Sequence, residues 1–163
     1  NENDLLIVVN SFSKSWAMTG WRLGWMTIPK NTLYFFEKLN EFNIASPAAP
    51  VQHAGITAIN EGENFIKDMI NKLSNSRNIA IQYLSSFSKV KLPEPTAAFY
   101  AFFKVKNVKD TEAFCKEILL KTGVGIAPGT AFGRHSSDWL RICYAKSPEL
   151  LEKAFNKLKP ILN

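Results

Sequence analysis

Ser11-Phe12-Ser13-Lys14-Ser15-Trp16-Ala17-Met18-Thr19-Gly20-Trp21-Arg22-Leu23-Gly24-Trp25 decides how the rest of the chain is read. It follows Leu5-Leu6-Ile7-Val8-Val9, a short continuous apolar run. Such a run suits a strand covered on both faces, as in a parallel sheet. Trp21 to Ile28 reads as a second strand, closed by Pro29, and the two strands are expected to be neighbours. Lys14 then falls in the turn region between them, with two serine hydroxyls close by and an arginine eight residues on. A lysine leaving an apolar strand loses its proton more easily than one in water, because burial and nearby positive charge both disfavour the ammonium. A neutral amine forms a Schiff base with an aldehyde. A guanidinium flanked by hydroxyls suits a phosphate, to which it makes paired hydrogen bonds.

An aldehyde and a phosphate on one small molecule describe pyridoxal 5′-phosphate (PLP). A lone lysine beside a hydrophobic hairpin would be read as a surface residue; the whole run from Asn10 to Trp25 is what singles this one out. That run resembles the PLP-lysine signature of the class I/II aminotransferases, the fold-type I PLP enzymes. By the resemblance, Lys14 is the Schiff-base lysine and later the base and acid of a 1,3-proton shift. Ser11 and Ser13 match the hydroxyl positions beside the phosphate, and Arg22 matches its guanidinium. Ser13 stands either there or near the pyridoxal oxygen and Lys14.

The chain has 163 residues, the length of one ordinary domain, and 46% of them are apolar. No apolar run approaches the ~20 residues of a membrane helix. Asn1-Glu2-Asn3-Asp4 has neither the basic nor the apolar part of a signal peptide, and there is no initiator methionine, so the chain is expected to be a fragment or processed product. Formal charge is +6, with the basic residues spread along the chain rather than blocked. Such a balance serves nucleic acid, anionic lipid or acidic small molecules, but reads more simply as a solvated surface. The two cysteines, Cys115 and Cys143, form no Cys-x-x-Cys, which argues against a disulfide framework or zinc site and for a reducing cytoplasm. Both read as small buried hydrophobes. His53 and His135 have no partner at catalytic spacing.

Further along, residues 32–42 are expected to form a helix and 44–50 a loop broken by Pro47 and Pro50. Pro50 suits the first turn of a helix ending near Gly62. A long amphipathic helix is expected over residues 63–87, with Ile66, Met69, Ile70, Leu73, Ala80, Leu84 and Phe87 on one face. Phe99 to Val105 reads as a strand. Asp110 reads as the N-cap of a helix through Lys121, with Gly123 just past its end. Short strands are expected over residues 124–127 and 139–144, the latter alternating Leu140, Ile142 and Tyr144 against Arg141 and Cys143. Ser147-Pro148-Glu149 opens the last helix, which Pro160 should end or kink.

The order of elements also resembles the C-terminal portion of a class I aminotransferase. Pro95-Thr96-Ala97-Ala98-Phe99-Tyr100 is similar to the family's Pro-x-Gly-Ala-Phe-Tyr, with Ala97 where the family has glycine. Gly125-Ile126-Ala127-Pro128-Gly129, followed by Phe132-Gly133, resembles the loop before the substrate arginine. Trp139-Leu140-Arg141-Ile142-Cys143-Tyr144-Ala145 resembles the strand that bears it, so Arg141 binds the substrate α-carboxylate by this resemblance. A planar guanidinium fork can grip a carboxylate with two bonds.

The resemblance implies an α/β PLP-dependent transferase fold. Residues 1–45 are expected to be end strands and a helix of the PLP-binding large domain. Residues 46–62 would be a connecting loop and helix, and residues 63–163 a long interdomain helix and an α+β small domain. The implied activity is transfer of an amino group between an amino acid and a 2-oxo acid, with aspartate or broad specificity, by a cytoplasmic homodimer that binds neither nucleic acid nor membrane. The 163-residue chain alone is expected to be inactive. A PLP-sensing domain of a transcription regulator, or an inactive truncated remnant, are the alternatives. Ser46 and Gln52 lie in a loop that in this family reaches toward the partner subunit, although loop polarity explains them as well. Trp16, Trp21 and Trp25 are expected to pack in the core rather than touch cofactor.

Overall fold

The structure, a computed structural model, describes residues 4–163 and has mixed α/β character. It divides into two compact units, one up to Met69 and one from Ile70 to Asn163.

In the first unit, β1 (Val8–Ser11) pairs antiparallel with β2 (Gly24–Thr27), with Ser11 opposite Gly24 and Val8 opposite Thr27. This corrects the bounds expected of both strands: the first starts at Val8 rather than Leu5, and the second at Gly24 rather than Trp21. The reason is register: β2 offers backbone partners only from Val8 to Ser11, so residues 5–7 find no ladder there. Leu5, Leu6 and Ile7 are exposed in this chain, Leu5 by 90%.

Between the strands lies α1 (Phe12–Ser15), a single turn. Phe12 is its buried anchor. Its ring packs on Trp16 at 4.9 Å and edge-on to Trp25 at 5.0 Å. α2 (Leu33–Ile44) follows Pro29, and α3 (Ala49–Glu61) opens with Pro50 in its first turn and ends at Gly62, as the proline and glycine positions imply. α3 sits close against the β1–β2 connection. A Cβ on Gly55 would come within 2.5 Å of Leu23 Cδ2 and 3.3 Å of the Phe12 ring, so this helix approaches only because residue 55 has no side chain.

α4 (Glu63–Ser86) spans the division between the units. In the second unit, β3 (Val90–Lys91), β4 (Tyr100–Val105), β5 (Ala127–Pro128) and β6 (Leu140–Cys143) form an antiparallel sheet in the order β3-β4-β6-β5. α5 (Thr111–Thr122) is capped by the Asp110 carboxylate, which accepts from the Ala113 amide at 2.9 Å, and Gly123 ends it with φ 71°. α6 (Pro148–Leu162) starts at the Ser147 cap and runs past Pro160 to Leu162. The proline lies in the final turn, where little helix is left to interrupt.

Period-2 alternation sorts the sheet into two faces. Ala101, Phe103, Val105, Leu140 and Ile142 are buried among Leu84, Ile118, Leu151, Phe155 and Leu158 from the helices. Phe155 stacks on Tyr83 at 5.3 Å. Burying a ring of this size contributes on the order of 1.5–3 kcal/mol. Tyr100, Phe102, Arg141 and Cys143 therefore share the opposite face, since Phe102 pairs with Arg141 and Tyr100 with Cys143. Cys115 is buried as expected, but Cys143 is exposed. No helix among the described residues is long and apolar enough to cross a membrane.

Candidate active site

Four of the five sequence-predicted site residues lie on the β1–β2 connection. Ser11 is extended (φ −141°, ψ 142°), and its Oγ accepts from the Ser13 amide at 3.0 Å, which caps α1. The far end of the connection is tied back where the Phe12 amide donates to the Leu23 carbonyl at 3.1 Å. Gly24 is required at this tie, because a Cβ there would come 2.6 Å from the Asn10 carbonyl oxygen. Lys14 lies within the single turn of α1 and is exposed in this chain. The apolar work of this segment falls to Phe12.

Arg22 adopts a left-handed backbone (φ 51°, ψ 48°) that non-glycine residues rarely take. Its Nη1 donates to the Thr19 carbonyl at 3.0 Å, which folds the side chain back across the turn. The strain at Arg22 is a local feature of a segment that also holds the Ser11 and Ser13 hydroxyls and the Lys14 amine.

A groove of about 400 Å³ opens on the same unit, lined by Trp16, Met18, Trp21, Ala54, Thr57, Ala58, Glu61, Gly62 and Phe65. None of Ser11, Ser13, Lys14 and Arg22 lines it. The tryptophans are less buried than expected: Trp16 is half-buried, Trp25 is 39% exposed, and Trp21 is 48% exposed at the groove. Ser46 and Gln52 are both exposed; Gln52 lies in the first turns of α3 rather than in the loop, and its Nε2 donates back to the Pro47 carbonyl at 2.8 Å.

The fifth residue, Arg141, belongs to the second unit. It lines a cavity of about 280 Å³ with Tyr100, Gly125, Ile126, Ala127 and Cys143. Its guanidinium carbon lies 4.1 Å from the Tyr100 ring centroid and 3.7 Å from that of Phe132. Among the described residues no carboxylate forms an ion pair with it. A guanidinium held between ring faces keeps its in-plane N–H donors for a ligand. Tyr100 and Phe132 are the site residues that sequence reasoning missed. Both lay inside stretches already quoted, and aromatic residues near a lone strand arginine are the signal that would have found them.

The chain belongs to the aminotransferase class I and II family, whose sequence model matches residues 1–158. The aspartate aminotransferase of Pyrococcus horikoshii is 37% identical over 159 residues, 96% of this chain and 41% of that protein. The aspartate aminotransferase of Pinus pinaster is 33% identical over 170 residues, covering 96% of this chain and 34% of its own. Among solved structures, an aspartate aminotransferase from Thermotoga maritima superposes with a TM-score of 0.86 at 29% identity, over 96% of this chain and 40% of that one. An aromatic aminotransferase from Pyrococcus horikoshii gives 0.89 at 29% identity, over 96% and 42%. The chain thus spans about 34–41% of the length of these curated relatives.

Proposed function

We propose that this chain carries the reactive lysine and the carboxylate anchor of a PLP-dependent aminotransferase. The enzyme moves an amino group between an amino acid and a 2-oxo acid by a ping-pong route, with aspartate among its donors. The observation that carries this reading is the gathering of Ser11, Ser13, Lys14 and Arg22 on one tied connection, in a chain of the aminotransferase family. The aspartate preference is supported by the names of the relatives.

The donor set fits the cofactor. Two hydroxyls and a guanidinium suit a phosphate, and an exposed primary amine on the same connection suits an aldehyde. PLP, when bound, supplies that aldehyde and an electron-withdrawing ring. Ser11 already accepts the Ser13 amide, so its O–H is left to donate to a phosphate oxygen. Arg22 uses one donor on Thr19 and keeps the rest of its five N–H groups for the same anion. Lys14 Nζ takes a proton from the substrate Cα and returns one during transfer. The Arg141 guanidinium grips the α-carboxylate with two parallel bonds and so fixes the direction of the Cα–H bond.

The full enzyme acts in the cytoplasm as a homodimer. Two unpaired thiols fit a reducing compartment, and the dimer rests on the family resemblance. The 163-residue chain alone shows no appreciable turnover, a reading supported by the share of its relatives that it spans. An amino-donor panel run on the full-length protein with PLP and 2-oxo acid acceptors tests the activity. Transfer from aspartate to a 2-oxo acid is expected; absence of transfer from every donor would overturn the proposal.

A further inference from the structure

We propose that Phe132 is a positioning residue for the carboxylate site: it fixes the Arg141 guanidinium against Tyr100 so that the in-plane donors face the cavity. The proposal rests on the reading of Arg141 as the carboxylate anchor.

The carrying observation is a difference between the two rings. Tyr100 and Arg141 both line the cavity, whereas Phe132 does not. Phe132 nevertheless makes the shorter approach to the guanidinium, 3.7 Å against 4.1 Å. A ligand in the cavity therefore meets Phe132 only through Arg141.

Phe132 is itself held from several sides. Its ring meets Phe102 edge-on at 6.1 Å, and Phe102 stacks flat on Trp139 at 4.9 Å with an interplanar angle of 4°. Lys104 Nζ covers the far face of this row, 4.7 Å from the Trp139 ring. The turn Gly129–Phe132 is pinned by the Gly129 amide, which donates to the Trp139 carbonyl at 2.7 Å, and by Thr130 Oγ1, which donates to Glu112 on α5 at 2.8 Å. Gly129 has no room for a side chain, because a Cβ would overlap the Ser136 carbonyl oxygen. The ring thus packs against Phe102 and Arg141 at the end of a pinned turn, with 39% of its surface exposed.

An arginine has several rotatable bonds, and ordering them at the moment of binding weakens affinity. A guanidinium already clamped between two rings has lost that freedom beforehand. Removing one wall should return it, and the effect of freeing one such side chain is roughly three- to ten-fold in affinity.

The test uses the full-length protein with PLP and succinate, a dicarboxylate without an amino group, as the calorimetric probe. Phe132→Leu is expected to raise the succinate Kd and the aspartate KM by roughly three- to ten-fold, with a larger change in KM than in kcat. The KM for aspartate α-amide, which lacks the α-carboxylate that Arg141 is read as gripping, should stay at its wild-type value. Phe132→Tyr, which keeps the ring, should restore succinate binding. If Phe132→Leu binds succinate like wild type while Arg141→Ala loses it, the clamp is overturned and the anchor stands. If Arg141→Ala also binds succinate like wild type, the anchor fails and the clamp fails with it.

Discussion

The Tyr144 hydroxyl donates to the Ala98 carbonyl at 3.1 Å, and Ala98 has a left-handed backbone with φ 61°. The Tyr144 amide also donates to the Phe99 carbonyl at 3.0 Å, so one buried tyrosine fixes the turn leading into β4 from two points. Ala97 stands where the family has glycine, yet the left-handed residue is its neighbour. Tyr144→Phe should lower stability by about 1–2 kcal/mol, since it leaves the Ala98 carbonyl without its partner. Ala98→Gly should be neutral or stabilising by up to about 1 kcal/mol, as relief of left-handed strain outweighs the added chain entropy. Urea unfolding of both variants checks the pair. A Tyr144→Phe protein as stable as wild type would show that the turn is held elsewhere.

The two thiols should differ in reactivity. Cys143 is exposed beside Arg141, while Cys115 is buried and its thiol is pushed up from 9.0 to about 11, first by burial and then by Glu112. The thiolate is the reactive form, so a disulfide reagent should label Cys143 in the folded protein and reach Cys115 only on unfolding. The raised Cys115 also has a sign for stability. The contribution is intact below pH 9.0 and is lost as pH rises toward about 11, because the unfolded chain releases the proton first. Cys115→Ala should flatten that alkaline decline. Equal labelling of both thiols in the folded chain would contradict the burial.

Much of the second unit was legible in the sequence because its signals are local. The Asp110 and Ser147 caps, Gly123, and the alternation around Arg141 each report on neighbouring residues, and the elements follow them. Leu5–Val9 was less legible: an apolar run carries hydrophobicity but not register, and β2 offers partners only from Val8 onward. The single turn that carries Lys14 was missed for the opposite reason. Its cap is a serine bonding two residues on, a pattern that serves turns and helices alike. Phe132 was invisible as a partner of Arg141 because the contact depends on how the Gly129 turn folds back on residues 136–139.

Acid should weaken the fold through two surface carboxylates. Asp138 is held below its ordinary 3.8 chiefly by its hydrogen bond with Lys104, and Glu149 below 4.5 chiefly by the Ser147 hydroxyl. Each lowered group stabilises the folded state above its unfolded value, and that stabilisation disappears as pH falls through the folded value. Asp138→Asn and Glu149→Gln should therefore lower Tm at neutral pH and shrink the gap between neutral and acid Tm. Calorimetry across that range checks it. An unchanged gap in both variants would place the acid sensitivity at other carboxylates.

Reductive trapping asks most directly whether Lys14 is the reactive amine. The full-length protein is incubated with PLP, reduced with cyanoborohydride, digested and mapped by mass spectrometry. The pyridoxyl mass is expected on the peptide containing Lys14 and on no other, and Lys14→Arg should abolish the label while the protein still folds. A label that persists in the variant, or that sits on another of the chain's lysines in the wild type, would contradict the assignment.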